Sequence, residues 1–389
     1  MVLKGQRVTV IGAGIAGLAL ARALAMKGAA VTVLEQAPEI REVGAGLQIT
    51  PNGQRVLAAL GLGAEFEREG LRTEAVELID GETGGVVLKL DLLRQRPSDH
   101  FRLFHRADLI SVLAQGARDA GVEIRLLQKI DSVTLGQTRP LIRTAQGAET
   151  EVDLLIGADG LHSKVREALN GRIAPFFTHQ VAWRATLPAE PGIRPVAQVF
   201  MGEGRHVVSY PLRGGRLRNI VAVEERRRWA EESWSLTDDP LALRIAFEDF
   251  VPEVRGWLDR IERPNLWGLF RHPVAERWHG QGAAILGDAA HPTLPFLAQG
   301  ANMALEDAWV LASCLSAAGT PEAGLIAYQD RRLARVRKIV AAANANARNY
   351  HLSGIRRDVA HIGLKLVNRF APSAMLGRFD WLYGHDVTA

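Results

Sequence analysis

The pattern of apolar and polar positions changes period along the chain. Arg7 to Ile11 is a short apolar, β-branched run that predicts a strand; spaced glycines follow, then an Ala/Leu-rich helical stretch to about Lys27. Val31 to Leu34 predicts the next strand. Strand, tight turn, helix and strand within about 30 residues predict a βαβ unit with a parallel sheet and a right-handed crossover. From about Glu74 to Leu90, and again from about Ala182 to Val223, apolar residues alternate and turns arrive often, which predicts antiparallel strands. The best hairpin pairs His206–Leu212 with Leu217–Val223 across Gly214 and Gly215, where glycine tolerates the positive φ of a tight turn. Ala283 to Leu286 predicts another buried strand, and Gly300 to Leu315 a long helix.

Leu325 to Asn349 predicts a further helix, in which Arg331, Arg332, Arg335, Arg337 and Lys338 read as a solvated basic face. No repeat or Pro/Ser linker separates the two patterns, so the expectation is an α/β chain with two interleaved domains. Residues 1–72, 100–175 and 268–330 form a Rossmann-like nucleotide-binding domain. Residues 73–99 and 176–267 form a mostly antiparallel β-sheet substrate domain, and 331–389 a C-terminal helical segment.

Composition narrows the function classes. A chain of 389 residues that is 47% hydrophobic has ample core, and 47 Lys+Arg against 43 Asp+Glu leave a net charge of only +4, which implies no nucleic acid. Cys314 is the only cysteine, so an intramolecular disulfide and a cysteine metal site are excluded; this suits a reducing cytoplasm, and redox chemistry must come from a cofactor. The histidines are scattered, giving metals no support. No run reaches the roughly 18 apolar residues of a membrane span. The apolar stretch Val8 to Ala25 is interrupted by Arg22 and reads as folded protein, not a signal peptide.

Candidate chemistry sits at strand ends. Gly12-Ala13-Gly14-Ile15-Ala16-Gly17 follows a strand and opens a helix, where the first glycine permits the turn, the second lets backbone approach a pyrophosphate, and the third lets the helix pack on the strand. Glu35 ends the second strand about 20 residues on, where a carboxylate accepts from ribose hydroxyls and repels a 2′-phosphate. This favours FAD or NAD over NADP and does not separate the first two. Gly157-Ala-Asp159-Gly160 follows the apolar strand Val152 to Ile156, and Gly287-Asp288 follows the strand Ala283 to Leu286.

These three motifs, in this order and over nearly the whole chain, resemble the class A FAD-dependent aromatic hydroxylases, as do the segments from Gly44 to Gly53 and His105-Arg106-Ala-Asp108-Leu109. The resemblance implies FAD, held by Gly12, Ala13, Gly14, Ala16, Gly17, Glu35, Gln36, Gln48, Arg106, Leu127, Asp159, Asp288, Gly300, Ala301 and Asn302. It implies reduction by NADH, with NADPH possible, and hydroxylation of a small phenolic or hydroxylated N-heteroaromatic acid by O2 through a C4a-hydroperoxyflavin. For Arg106 the plainer alternative is a surface ion pair with Asp108 or a neighbour, and for Asp159 and Asp288 a turn-capping role. The helix beginning at Gly300 would present its positive N-terminus to the reduced flavin.

A phenol must approach phenolate to be attacked, which calls for a base near the ring oxygen. His206 and Tyr210 lie four residues apart on a predicted strand, so both side chains share one face about 13 Å apart. This pair resembles the subset acting on hydroxynicotinates, hydroxybenzoates and salicylate, and they are the catalytic candidates. Gln48 stands where some of that subset carry His, and Pro295 where some carry Gln; both departures weaken the transfer of one particular substrate. Pro295 and Trp183 are candidate pocket residues, with a core position the alternative for Trp183. Rival readings are a hydroxylase of a bulkier phenol or quinone precursor and a non-catalytic FAD-binding redox sensor. A monomer or a homodimer is expected.

Overall fold

A computed structural model describes residues 3–40, 46–136, 139–226, 237–349, 351–352 and 354–389. Its first sheet has the strand order 279–280, 283–285, 155–157, 7–11, 30–34, 123–125, parallel except at the first pair. The register brings three strand ends level: Ile11 pairs with both Gly157 and Leu34, and Gly157 with Ile285. Each of the three glycine/aspartate motifs therefore starts at the same edge. Helix Ile15–Met26 buries Leu18, Leu20 and Leu24 against the sheet, its alanines allowing close approach.

The second sheet runs 265–271, 176–188, 217–225, 205–212, 196–202, 75–80, 86–91. The expected hairpin forms, with His206 opposite Val223 and Leu212 opposite Leu217; Arg213, Gly214 and Gly215 turn through φ of 51°, 67° and 84°. One pair departs from the antiparallel expectation. Val196–Gly202 runs parallel to Ala75–Asp80, because these strands come from two separate excursions of the chain into the sheet and not from one hairpin.

Alternation gives this sheet two different faces. Trp183, Val207 and Ala222 point outward onto Phe247, Phe250 and Trp257, around helices Pro240–Ala246 and Pro252–Asp259. Ala182, Val221 and Val223 point inward to Leu294 and Phe296, just ahead of helix Gly300–Ala317. The inner face thus looks onto the first sheet's motif edge, and that is where a site is formed.

The predicted basic face of the later helix is solvated at Arg331, Arg337 and Lys338, and corrected at Arg332 and Arg335. Within Pro321–Asn349, Arg332 is only 1% exposed and pairs with both Glu306 and Asp307, while Arg335 makes two bonds of 2.8 Å to Glu306. Arg335 also donates to the carbonyls of Trp381 and Leu382, each at 3.0 Å, tying the last helical turns to this network. The partners are acids on Gly300–Ala317, so Arg332 and Arg335 are matched across helices and not along one.

Candidate cofactor and substrate site

The glycine motif is built as its spacing requires. Gly12 has φ 102°, and a Cβ there would meet the Ala158 carbonyl at 2.4 Å; one on Gly17 would lie 2.0 Å from the Gly12 carbonyl. A Cβ on Gly14 would meet nothing within 4 Å, so the second glycine opens a cradle in front of the helix start. Ala13 N donates to Glu35 Oε2 at 2.7 Å and Ala37 N to Oε1 at 2.9 Å, which fixes the carboxylate and leaves it further lone pairs for hydroxyl donors. Gln36 and Leu127 stand beside Glu35: Leu127 N donates to the Ala37 carbonyl at 3.2 Å, with its side chain exposed at φ 58°.

The other two motifs close on the first. Ala16 lies against Gly287, where a Cβ would come within 2.9 Å of Ala16 Cβ, and Gly287 N donates to the buried Asp307 at 3.0 Å. Asp159 Oδ2 caps Lys164 N at 2.8 Å, but its Oδ1 is buried with no bonding partner, and burial pushes the carboxyl's pKa up. Asp288 is exposed at the motif edge; Arg106, in the first turn of helix Arg106–Asp119, is lowered in pKa by burial and held charged by Asp288. Of the alternatives for Arg106, the pair with Asp108 does not form, because Asp108 takes Arg213 in a two-bond pair at 2.7 and 2.9 Å.

At the start of helix Gly300–Ala317, the N–H groups of Gly300, Ala301 and Asn302 precede the first intrahelical bond, from Met303 N to the Gln299 carbonyl at 2.8 Å. The Asn302 side chain works elsewhere: its Oδ1 accepts from Thr50 N at 3.0 Å and its Nδ2 donates to the Gln48 carbonyl at 3.1 Å. It ties the Gly46–Ile49 strand to the helix and leaves backbone N–H as the binding group. An open glycine cradle, an anchored Glu35, an orphaned buried Asp159 oxygen and a helix N-terminus together fit an FAD. Gly44 and Ala45 of the associated segment lie outside the described residues.

The inner face of the second sheet supplies the rest. His206 and Tyr210 share that face of strand Arg205–Leu212, as their spacing predicts, with Val208 between them. Tyr210 packs on Gly46, whose imagined Cβ would sit 2.5 Å from its ring, and Asn219 beside it accepts from Gly46 N at 2.8 Å. Burial pushes the Tyr210 phenol up to about 12 against the pull of Arg184, so it stays protonated at neutral pH. His206 is held well below the usual imidazole range by burial and then by His351, whose Nε2 lies 2.7 Å from His206 Nδ1; it is a neutral base.

Arg184, the residue after Trp183, carries no motif in the sequence. Paired with Val221, it lies on the inner face, stacked 4.3 Å over the Trp267 ring, with no carboxylate pairing to it among the described residues. Burial brings its pKa down to about 10, Tyr210 opposing and Arg106 adding to the fall, so it remains a cation. The alternation that puts Trp183 outward was enough to place Arg184 inward. Trp183 itself is corrected from pocket wall to core: it stacks edge-on to Phe247, and its Nε1 donates to Asp238 at 2.9 Å. Pro295 is exposed; its neighbours Leu294 and Phe296 are the ones turned to the sheet, a distinction set by the 3-10 turn Pro295–Leu297 that the sequence does not announce.

The FAD binding domain family model matches residues 6–343. The chain belongs to the FAD-dependent aromatic hydroxylase family. It is 34% identical over 394 residues to the 3-amino-4-hydroxybenzoate 2-monooxygenase PtmB3 of Streptomyces platensis, covering 98% of this chain and 96% of that one. It is 34% identical over 401 residues to the 3-hydroxybenzoate 6-hydroxylase of Polaromonas naphthalenivorans (strain CJ2), with the same coverage of 98% and 96%. Among solved structures of this hydroxylase fold, Klebsiella pneumoniae HpxO with FAD and uric acid superposes with a TM-score of 0.83 at 25% identity, over 97% of each chain. A salicylate hydroxylase substrate complex superposes with a TM-score of 0.81 at 24% identity, over 98% of this chain and 96% of that one, and speaks for the fold alone. No helix among the described residues is long and apolar enough to cross a membrane.

Proposed function

We propose that this hydroxylase adds one oxygen atom to a small phenolic acid, with NADH as the reductant. The observation that carries the reading is the inner sheet face, where a neutral His206, a protonated Tyr210 and an Arg184 with no carboxylate partner among the described residues look onto the FAD motifs. Bound there, FAD would take hydride from a reduced nicotinamide and activate O2. The chain's residues do the rest. Arg184 binds the substrate carboxylate as a planar cation already shielded from water on one side by Trp267. His206 takes the ring hydroxyl's proton, making the ring electron-rich where oxygen is to arrive. Leu294 and Phe296 keep water from the ring. Gly300, Ala301 and Asn302 N–H groups, with Arg106 and Asp288, hold the flavin end of the cofactor, and Glu35 its ribose end. The curated relatives act, by name, on hydroxylated benzoates, which favours that substrate class over a bulkier phenol.

The test is NADH consumption by the FAD-loaded enzyme with and without 3-hydroxybenzoate, 3-amino-4-hydroxybenzoate, hydroxynicotinates and salicylate, followed by product mass. One compound that accelerates consumption severalfold and gains one oxygen supports the reading. Acceleration by none of them refutes the small-acid class, and FAD retention without any turnover would favour a sensor.

A further inference from the structure

The pocket base must dispose of the proton it accepts. His206 is 2% exposed, so water cannot take that proton directly. Its Nδ1 lies 2.7 Å from His351 Nε2, and His351 Nδ1 lies 2.8 Å from Glu225 Oε1. The His351 side chain is 2% exposed and that of Glu225 54%, so the three groups form a line from the buried face to solvent. We infer that His206, His351 and Glu225 form a proton relay that carries the substrate's hydroxyl proton out of the closed pocket. The inference rests on reading the His206 face as the phenol pocket.

The hydrogen bonds fix both tautomers. An ionised carboxylate only accepts, so His351 carries its proton on Nδ1 and offers a lone pair at Nε2. That lone pair makes His206 the donor through Nδ1–H, which places the accepting lone pair of His206 on Nε2. The amide nitrogen of Gln180 also lies 3.2 Å from His351 Nδ1, but a donor cannot satisfy an N–H, and the nearer, charged Glu225 oxygen is the partner. Among the described residues, Glu225 is the charged group against His351, and His351 is the titratable group against His206. Phe296, whose ring also lies against His206, is apolar. Glu224, the next residue, is engaged by Arg226 at 2.8 Å.

The passage balances. The phenol O–H bond breaks and an N–H bond forms at His206 Nε2; the His206 Nδ1 proton moves to His351 Nε2; the His351 Nδ1 proton moves to Glu225 Oε1 and thence to water. One proton enters and one leaves, and both rings end in the opposite tautomer. The reverse passage, when the product's ring oxygen is reprotonated, restores them. Burial, which lowers the proton affinity of both imidazoles, disfavours a stranded imidazolium at either station. His351 and Glu225 act through His206 and are positioning residues.

The experiment mixes FAD-loaded enzyme with 3-hydroxybenzoate, without NADH, and follows ionisation of the bound phenol by its absorbance and proton release by a pH indicator. Wild type is expected to ionise the phenol and release a proton. His351→Gln is expected to retain FAD but to ionise the phenol about 100-fold more slowly, the low end of what a positioned proton-transfer group contributes, with added imidazole restoring the rate. Glu225→Gln, at an exposed position that preserves the fold, is expected to slow release and shift its pH dependence. Wild-type rates and pH profiles in both variants would overturn the relay while leaving the pocket intact, and should His351→Gln fail to fold, an unchanged Glu225→Gln alone overturns it. Absence of any phenol ionisation in the wild type would overturn the pocket reading and the relay with it.

Discussion

Arg332→Met removes the central cation of a buried network that also supports the motif edge. Glu306 and Asp307 are both fully buried; Arg332 contacts each, and Arg335 contacts Glu306. Breaking a buried pair by deleting one partner costs about 3–5 kcal/mol, because the remaining charge is left without compensation. Arg335 keeps its two bonds to Glu306, so the loss falls mainly on Asp307 and the lower figure, about 3 kcal/mol, applies. With an unfolding entropy of about 2 cal/mol/K per residue, a chain of this length loses about 4 °C in Tm. Burial works to raise the Asp307 pKa, but His291 and then Arg332 outweigh it and hold the carboxyl below its ordinary value. A carboxylate with a lowered folded pKa contributes its stability above the unfolded value, about 3.9, and loses it as pH falls through the folded value. The gap in Tm between wild type and variant should therefore be full at neutral pH and shrink below about pH 4. Adding Asp307→Asn to Arg332→Met should cost less than the sum of the single changes, with a coupling of about 1–3 kcal/mol. Thermal melts at neutral and acid pH decide it. A variant that melts with wild type at neutral pH, or a gap that does not narrow in acid, refutes the reasoning.

Other perturbations test the site separately from the fold. Gly14→Val places a side chain in an open cradle at an extended backbone position, so the protein should fold but purify with little FAD, read from visible absorbance. Arg184→Met should raise KM for carboxylated phenols more than tenfold while a phenol lacking the carboxylate is used no worse; equal effects on both would remove its anchoring role. Trp183→Phe should lower Tm by about 1–3 °C, through the lost bond to Asp238 and reduced packing, and leave KM unchanged. A changed KM would return Trp183 to the pocket. Because the Tyr210 phenol titrates at about 12, Tyr210→Phe should not move any limb of the activity profile below about pH 10.

Local signals made much of this molecule legible. The βαβ unit, the Gly214–Gly215 hairpin and the shared face of His206 and Tyr210 follow from period and turn chemistry, both short-range properties. What the sequence withheld depends on contacts between distant segments. The inward Arg184 was one alternation step from a residue already noted, yet its importance comes from having no acidic partner among the described residues, which only the assembled sheet can show. Arg332 and Arg335 read as solvated like the rest of their basic run because their acids lie on another helix. His351 carried no motif at all; only the return of the C-terminal helices over the sheet brings it to His206. The parallel pairing of Val196–Gly202 with Ala75–Asp80 escaped for the same reason, since strand direction between separate excursions is not encoded in alternation.

The order of strands in the first sheet bears on how the protein is made. Strand Leu155–Gly157 has Arg7–Ile11 on one side, already synthesised, but its other neighbour, Ala283–Ile285, follows only after the long strands of the second sheet. The motif edge is thus completed by the segment that emerges late from the ribosome, and pairing across so long an excursion is entropically slow. FAD capture becomes a late event in folding, and until then the open flank of Leu155–Gly157 is an unpaired, apolar strand edge of the kind that recruits other chains. Cofactor supply during synthesis should accordingly govern the yield of folded protein, because binding draws material out of that exposed intermediate.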